Sequence, residues 1–319
     1  MIQTPTLDRS VVTSIVESIG SLSAEVERLV ANCNLTSIWS NAELEALPEN
    51  NVWKLFRLSA LSLDMPDVGL RVGGEFQVRD LGMFGRKLES SLTTNSCLQE
   101  YIKTVNRYSS HSKFWTEQEE GGVWFCRRGI DLIDVGRNEV EQFTLELMIR
   151  LVQLACGPMW KPRKVRIQHA TDQCFRGHSV YGCVELLYGQ PVTAIWLSDV
   201  DRFRIVRWRD DDVTGRVRDH VRVQMHDCKP DLALVAQQLG FSVRTLQREL
   251  SDRGLDWSRL LEQVRLNHAA TSLADELPIC EIAHSLGYTD QANFGRAFRR
   301  WTGTTPNSYR RRFRNAETP

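Results

Sequence analysis

Between Trp257 and Ala274 neither Pro nor Gly interrupts the chain, and Leu260, Leu261, Val264, Leu266, Ala269 and Leu273 recur at helical spacing. At about 1.5 Å per residue such a helix is roughly 27 Å long. It is flanked by two copies of one pattern. Val235-Ala236-Gln237-Gln238-Leu239-Gly240-Phe241-Ser242 returns 47 residues further on as Ile282-Ala283-His284-Ser285-Leu286-Gly287-Tyr288-Thr289. In each copy an aliphatic residue and an Ala sit on a helix. A Leu-Gly-aromatic step then supplies a Gly able to take positive φ, and Ser242 or Thr289 stands at or beside the start of a second helix. The spacing predicts two helix-turn-helix units in tandem. His284 falls inside the second unit as a helix-packing residue.

At about 100° per residue, the second helix of each unit has an apolar and a polar side. After Ser242, Val243, Leu246 and Leu250 are predicted to face inward, with Arg244, Gln247, Arg248 and Ser251 outward. After Thr289, Phe294, Ala297, Phe298 and Trp301 share one face, opposite Ala292, Arg296 and Arg299. Arg pairs with guanine O6 and N7, and Gln or Asn with adenine N6 and N7, so these are the side chains that major-groove reading requires. One such helix would read as an ordinary solvated face. Recurrence in register behind two matching turns favours nucleic-acid recognition, and two units in one chain can read two turns of DNA without a dimer.

The run from Ile282 to Arg310 has the form Ile-Ala-x-x-Leu-Gly-Tyr-x-Asp, then Phe294, Arg296-Ala297-Phe298-Arg299-Arg300, Gly303, Pro306 and Tyr309-Arg310. It resembles the DNA-binding end of the AraC/XylS (arabinose-operon-activator) family of bacterial transcription regulators, over residues 213–319. The resemblance implies an all-α domain with two helix-turn-helix units joined by a long helix, which binds double-stranded operator or promoter DNA. By position in the matching motifs it implies base reading by Arg244, Arg248, Gln291 and Arg296, with Thr245, Gln247 and Asn293 as weaker candidates. It also implies phosphate contacts from Ser242, Arg299, Arg300 and Arg310. Activation through contact with RNA polymerase is a further family expectation that no residue pattern here encodes.

Before residue 213 the pattern is mixed, predicting an α+β domain. Ser40-Asn41-Ala42-Glu43 has capping-box spacing for a helix kept short by Pro48, and Asn51–Leu63, Cys97–Tyr108 and Arg137–Leu154 have helical periods. Strand candidates are Lys113–Thr116, Gly122–Arg127 after a reversal at Gly121-Gly122, Arg163–His169 and Val192–Trp196. Gly82 and Gly85 before a Ser/Thr-rich turn, Trp160-x-Pro162, and Tyr188-Gly189-x-Pro191-Val192 resemble the effector domain of one branch of the same family. That implies a small-molecule effector, often a carboxylate, which changes the oligomeric or DNA-binding state, with a homodimer as one such state. No Arg or Lys in residues 1–212 is marked by a motif, so no effector-binding residue is assigned. Trp115, Trp124, Trp160, Trp196 and Trp208 read as core packing before they read as a pocket lining.

Arg209-Asp210-Asp211-Asp212-Val213-Thr214-Gly215 reads as a linker, dividing the chain into an effector or oligomerisation domain (1–212) and a DNA-binding domain (213–319). Val217, Val221 and Met225 then suggest a lead-in helix, and Lys229-Pro230-Asp231 its end, with Asp231 capping the next. A net charge of zero hides an asymmetry: 24 basic against 28 acidic residues before the cut, and 16 against 12 after it. Between Gln291 and Arg314 lie seven arginines and no acid, which predicts strong phosphate attraction and steep salt dependence.

At 319 residues the length fits two domains. No run of about twenty apolar residues predicts a membrane span, and the N-terminus lacks a secretory-signal layout, so a cytoplasmic protein is expected. The eight cysteines include no Cys-x-x-Cys pair and the seven histidines no His-Glu-x-x-His, so neither metal nor disulfides are expected, and no cofactor. No Gly-rich phosphate loop or Gly-x-Ser-x-Gly elbow occurs, and no catalytic residue is assigned. Two other readings are a DNA-binding protein whose N-terminal domain only dimerises, and an enzyme fused to a DNA-targeting module.

Overall fold

The computed structural model describes residues 5–317 apart from 42, 44, 111, 130–134, 169–173, 176, 177, 179, 180, 207, 209–212, 228 and 229. The chain forms two compact units. The first comprises Met1–Gly85, Leu98–Gln153 and Pro158–Ser198, and the second Arg86–Cys97, Leu154–Gly157 and Asp199–Pro319.

The first unit is α+β. Strands β1 (Thr6–Asp8) and β2 (Ala46–Pro48) pair antiparallel. A five-stranded sheet is formed by β3 (Lys113–Glu119), β4 (Gly122–Arg128), β5 (Lys164–Arg166), β6 (Glu185–Leu187) and β7 (Thr193–Ser198), in the order β3-β4-β7-β5-β6. Among the described residues the β5–β6 pair is parallel and the other pairs of this sheet are antiparallel. The reversal between β3 and β4 uses Gly121 at φ +79°. β4 is buried from Gly122 to Arg127 because it is central. Helix Val68–Glu75 approaches helix Arg137–Cys156 closely, since a Cβ on Gly69 would lie 1.9 Å from the Glu139 carbonyl oxygen. Trp124 is buried, and Trp115 and Trp196 pack beside it on Cys126, Val192 and Ala194.

Several expectations need correction here. No helix starts at Ser40-Asn41-Ala42-Glu43. Asn41 ends the short helix Ser37–Ser40 and accepts the Glu43 amide on Oδ1 at 3.1 Å, Ala42 lies outside the described residues, and the next helix begins at Glu49, after Pro48. The helix expected from Cys97 begins earlier, at Thr94, and becomes a 3-10 turn at Val105–Arg107. Of Arg163–His169 only Lys164–Arg166 is strand, and His169 lies outside the described residues.

The second unit contains the helical domain. A lead-in helix runs Val213–Asp227, so Val213, Thr214 and Gly215 of the expected linker are helical, while 209–212 lie outside the described residues. Asp231 caps the next helix, accepting the Leu234 amide on Oδ1 at 2.9 Å. The first helix-turn-helix unit is Leu232–Gln238 with Val243–Ser251, the connecting helix is Trp257–Ala274, and the second unit is Ile279–Ser285 with Gln291–Thr302. Helix Pro306–Glu317 follows.

Each helix-turn-helix has its own core, and the connecting helix supplies both. Leu260 and Val264 join Val217, Val221, Leu246 and Leu250, while Leu266, Ala269 and Leu273 join Ile282, Phe294, Phe298 and Trp301. Leu92 and Phe203 complete the second core from outside residues 213–319. The segment carrying Leu92 is pinned by backbone bonds from Val206 N to Leu92 O (3.0 Å) and from Thr94 N to Arg204 O (2.9 Å).

Candidate nucleic-acid interface

The two turns repeat in atomic detail. The Gly240 amide bonds to the Gln237 carbonyl at 3.1 Å and the Phe241 amide to that of Ala236 at 2.9 Å. In the second unit the Gly287 amide bonds to His284 O at 2.9 Å, and the Tyr288 amide to Ala283 O at 2.9 Å. Both are Schellman endings, in which the residue past the helix must be left-handed. Gly240 stands at φ +74° and Gly287 at φ +78°, which explains the recurrence of Gly at this step. His284 is exposed and so is not the packing residue its place in the motif suggested.

The caps differ between copies. Ser242 caps the first exposed helix, its Oγ accepting the Thr245 amide at 3.1 Å and lying 2.8 Å from Thr245 Oγ1. In the second copy the cap is Asp290, one residue beyond Thr289, and its Oδ1 accepts the Asn293 amide at 2.7 Å. That backbone hydrogen bond holds the Asp290 carboxyl below the usual carboxylate range.

On the first exposed helix Arg244, Gln247 and Arg248 are solvent-exposed and Thr245 is half-buried, while Leu246 and Leu250 form the inward face. Val243 does not join them: it is 38% exposed, because the first helical turn lies off the core. On the second helix Gln291, Arg296, Arg299 and Arg300 are exposed, opposite buried Phe294, Ala297, Phe298 and Trp301. Asn293 is already engaged. Its Nδ2 donates to Thr289 Oγ1 (3.1 Å) and Asp290 Oδ2 (2.6 Å), and its Oδ1 accepts Arg296 Nη2 at 2.5 Å. The chain Asp290–Asn293–Arg296 therefore aims Arg296, a link that helical periodicity alone does not reveal.

The arginines beyond that point divide by environment. Arg300 pairs with Glu262 Oε1 of the connecting helix at 3.0 Å. With Arg300 68% exposed, that pair is weak and open to exchange for a phosphate. Arg310 is half-buried, and its Nη2 donates to the Leu277 carbonyl. Midway along the connecting helix, fully buried Gln263 accepts from Arg218 Nε at 3.3 Å and donates to the Ser90 carbonyl at 3.1 Å. Gln263 was missed as a fixing point because its partner lies 173 residues away in sequence.

With this geometry in place, comparison with known proteins is decisive. A profile described as "Helix-turn-helix domain" matches residues 235–312. A second, described as "Arabinose-binding domain of AraC transcription regulator, N-term", matches residues 25–202, over half of the chain. The chain belongs to the AraC family of transcription regulators. Among relatives of the AraC-family chain, the HTH-type transcriptional regulator VirS of Mycobacterium tuberculosis is 26% identical over 299 residues, 81% of this chain and 82% of VirS. The ornithine utilization regulator of Pseudomonas aeruginosa is 45% identical over 82 residues, but that stretch is only 24% of the regulator's length. The solved transcriptional regulator CdpR from Pseudomonas aeruginosa is 22% identical, with 89% of this chain and 97% of CdpR covered at a TM-score of 0.42. As an AraC-family regulator the chain carries a DNA-binding helix-turn-helix region and an N-terminal effector-domain fold. Among the described residues no helix is long and apolar enough to cross a membrane, and no group of His, Cys, Asp or Glu could hold a metal ion.

Proposed function

We propose that this protein activates transcription under control of a small-molecule effector, and that its two exposed helices read successive major-groove segments of one operator. Arg244 and Arg248 read bases from the first unit, and Gln291 and Arg296 from the second. Thr245, Gln247 and Asn293 support them. Ser242, Arg299, Arg300 and Arg310 hold phosphates. The observation that carries this reading is the match between the two units. Each ends its first helix in the same Gly-dependent turn and presents an Arg/Gln face opposite a buried one. Family membership supports RNA polymerase as a partner and the first unit as the effector domain. The division of labour proposed is sensing by residues 1–212 and DNA contact by residues 213–319.

Base reading is tested at Arg296. Arg296→Ala lowers affinity for the preferred site by about 1–3 kcal/mol and relaxes discrimination at one base position, measured by binding to a panel of single-base operator variants. Equal weakening on every sequence would mean that Arg296 touches only phosphate.

A further inference from the structure

Within the second unit the segment Arg86–Cys97 meets the helical domain at four successive places, two of them at the ends of the reading helices. Arg86 comes first. Its Nη1 donates to the carbonyl of Asp252, the residue that ends helix Val243–Ser251, at 2.5 Å. Just beyond, Gly254 lies at φ +71°, and a Cβ there would stand 3.0 Å from the Arg86 carbonyl carbon and the Lys87 nitrogen. Ser90 then reaches the middle of the connecting helix, where its carbonyl accepts from Gln263 Nε2 at 3.1 Å and from Arg259 Nε at 3.2 Å. Leu92 enters the core of the second helix-turn-helix. Asn95 lies beside Gly303, the left-handed residue that ends helix Gln291–Thr302, where a Cβ would stand 3.5 Å from Asn95 Nδ2.

The hydrophobic contacts that seat the connecting helix in both cores are non-directional. A buried amide is directional. Gln263 has no exposed surface, accepts on Oε1 from Arg218 Nε of the lead-in helix at 3.3 Å, and donates to Ser90 through Nε2. Rolling the connecting helix would break both bonds, and a buried group left unpaired carries the full desolvation penalty. The two carbonyls after Ser90 are also engaged, Ser91 by Trp208 Nε1 at 3.1 Å and Leu92 by Val206 N at 3.0 Å. The segment is therefore held along its length, and with it the ends of both reading helices.

The geometry points to a splint: Arg86–Cys97 fixes the separation and angle of the two reading helices, with Gln263 as the central positioning residue, and so makes operator recognition selective for one spacing between the two half-segments. The inference rests on the two-reader function proposed above and adds what sets the geometry of reading. One inserted base pair moves the far half-segment by about 3.4 Å along the duplex and turns it by about 35°. Readers held at both ends cannot follow that turn, whereas readers joined by one helix alone can roll toward it.

The test uses the full chain on a duplex selected from random DNA, and on the same duplex with one base pair inserted or removed between the half-segments, with affinity read by gel shift. The wild-type protein should bind the selected spacing about tenfold or more tighter than either altered one. In Gln263→Met, which keeps the length of the side chain and loses both bonds, that preference should fall to about threefold or less. A purely structural role for Gln263 would instead weaken all three duplexes equally and leave the preference unchanged, and that result would overturn the proposal. Because losing a buried amide can disturb folding, Arg86→Ala provides an independent variant at an exposed position. It cuts the tether to Asp252 and should lower the preference by about threefold at an almost unchanged melting temperature. An unchanged preference in folded Arg86→Ala would also overturn the splint. So would a wild-type chain indifferent to spacing, and hydroxyl-radical footprints of that chain separate the causes: two protected stretches leave the two-reader function standing, whereas a single stretch removes it too.

Discussion

At the scale of residues, position on a helix separates reading from holding. Arg299 and Arg300 lie in the last turn of the second exposed helix, Arg300 tethered by its exposed pair with Glu262. Loss of either should weaken specific and random DNA alike and reduce the slope of log affinity against log salt by about one. An unchanged slope in Arg299→Ala and Arg300→Ala would remove them from the interface. Arg310 differs, because it also ties the terminal helix to the Leu277 carbonyl. Arg310→Ala should therefore lower the melting temperature as well as DNA affinity, whereas Arg299→Ala should lower affinity alone. The exposed arginines and glutamines were legible in the sequence because an amphipathic period states which side of a helix is wet. The Asn293 bridge was not, since a side-chain bond between two exposed residues leaves no trace in hydrophobicity.

At the scale of elements, the same substitution should act with opposite sign at glycines of different backbone. Gly240 and Gly287 are left-handed, with open space around a would-be Cβ, so the strain of Ala there is conformational only. Gly240→Ala and Gly287→Ala should each destabilise by about 1–2 kcal/mol. Gly295 lies inside helix Gln291–Thr302, with equally open space and no positive φ, and Gly295→Ala should stabilise by about 0.5–1 kcal/mol. Thermal melts of the three variants check both signs, and a stable Gly287→Ala protein would contradict the account of the repeated turn. Long elements with a period, such as Trp257–Ala274 and Arg137–Cys156, were visible in the sequence. The short strands β1, β2 and β6 were not, since their pairing is set by distant partners, whereas the equally short β5 fell inside the wider expectation Arg163–His169. The capping box at Ser40 failed for a related reason: four residues matched a local pattern, but Asn41 satisfies the Glu43 amide in a turn.

At the scale of the molecule, the second unit gathers Arg86–Cys97 and Asp199–Phe203 around the helical domain, so that Leu92 and Phe203 close the second helix-turn-helix core. A boundary placed by composition at an acidic run has no means of seeing that hydrophobic closure. Within this unit one helix of 18 residues serves both cores, giving a strut of roughly 27 Å between the two reading helices. The central claim is that one chain holds two readers and spans successive turns of the same operator. Hydroxyl-radical footprinting of the full-length protein on a selected operator measures this most directly. The account predicts two protected stretches about 10–10.5 base pairs apart at a stoichiometry of one chain, with Arg244→Ala/Arg248→Ala erasing one and Gln291→Ala/Arg296→Ala the other. A single protected stretch, or two that disappear together with either pair of substitutions, would contradict it.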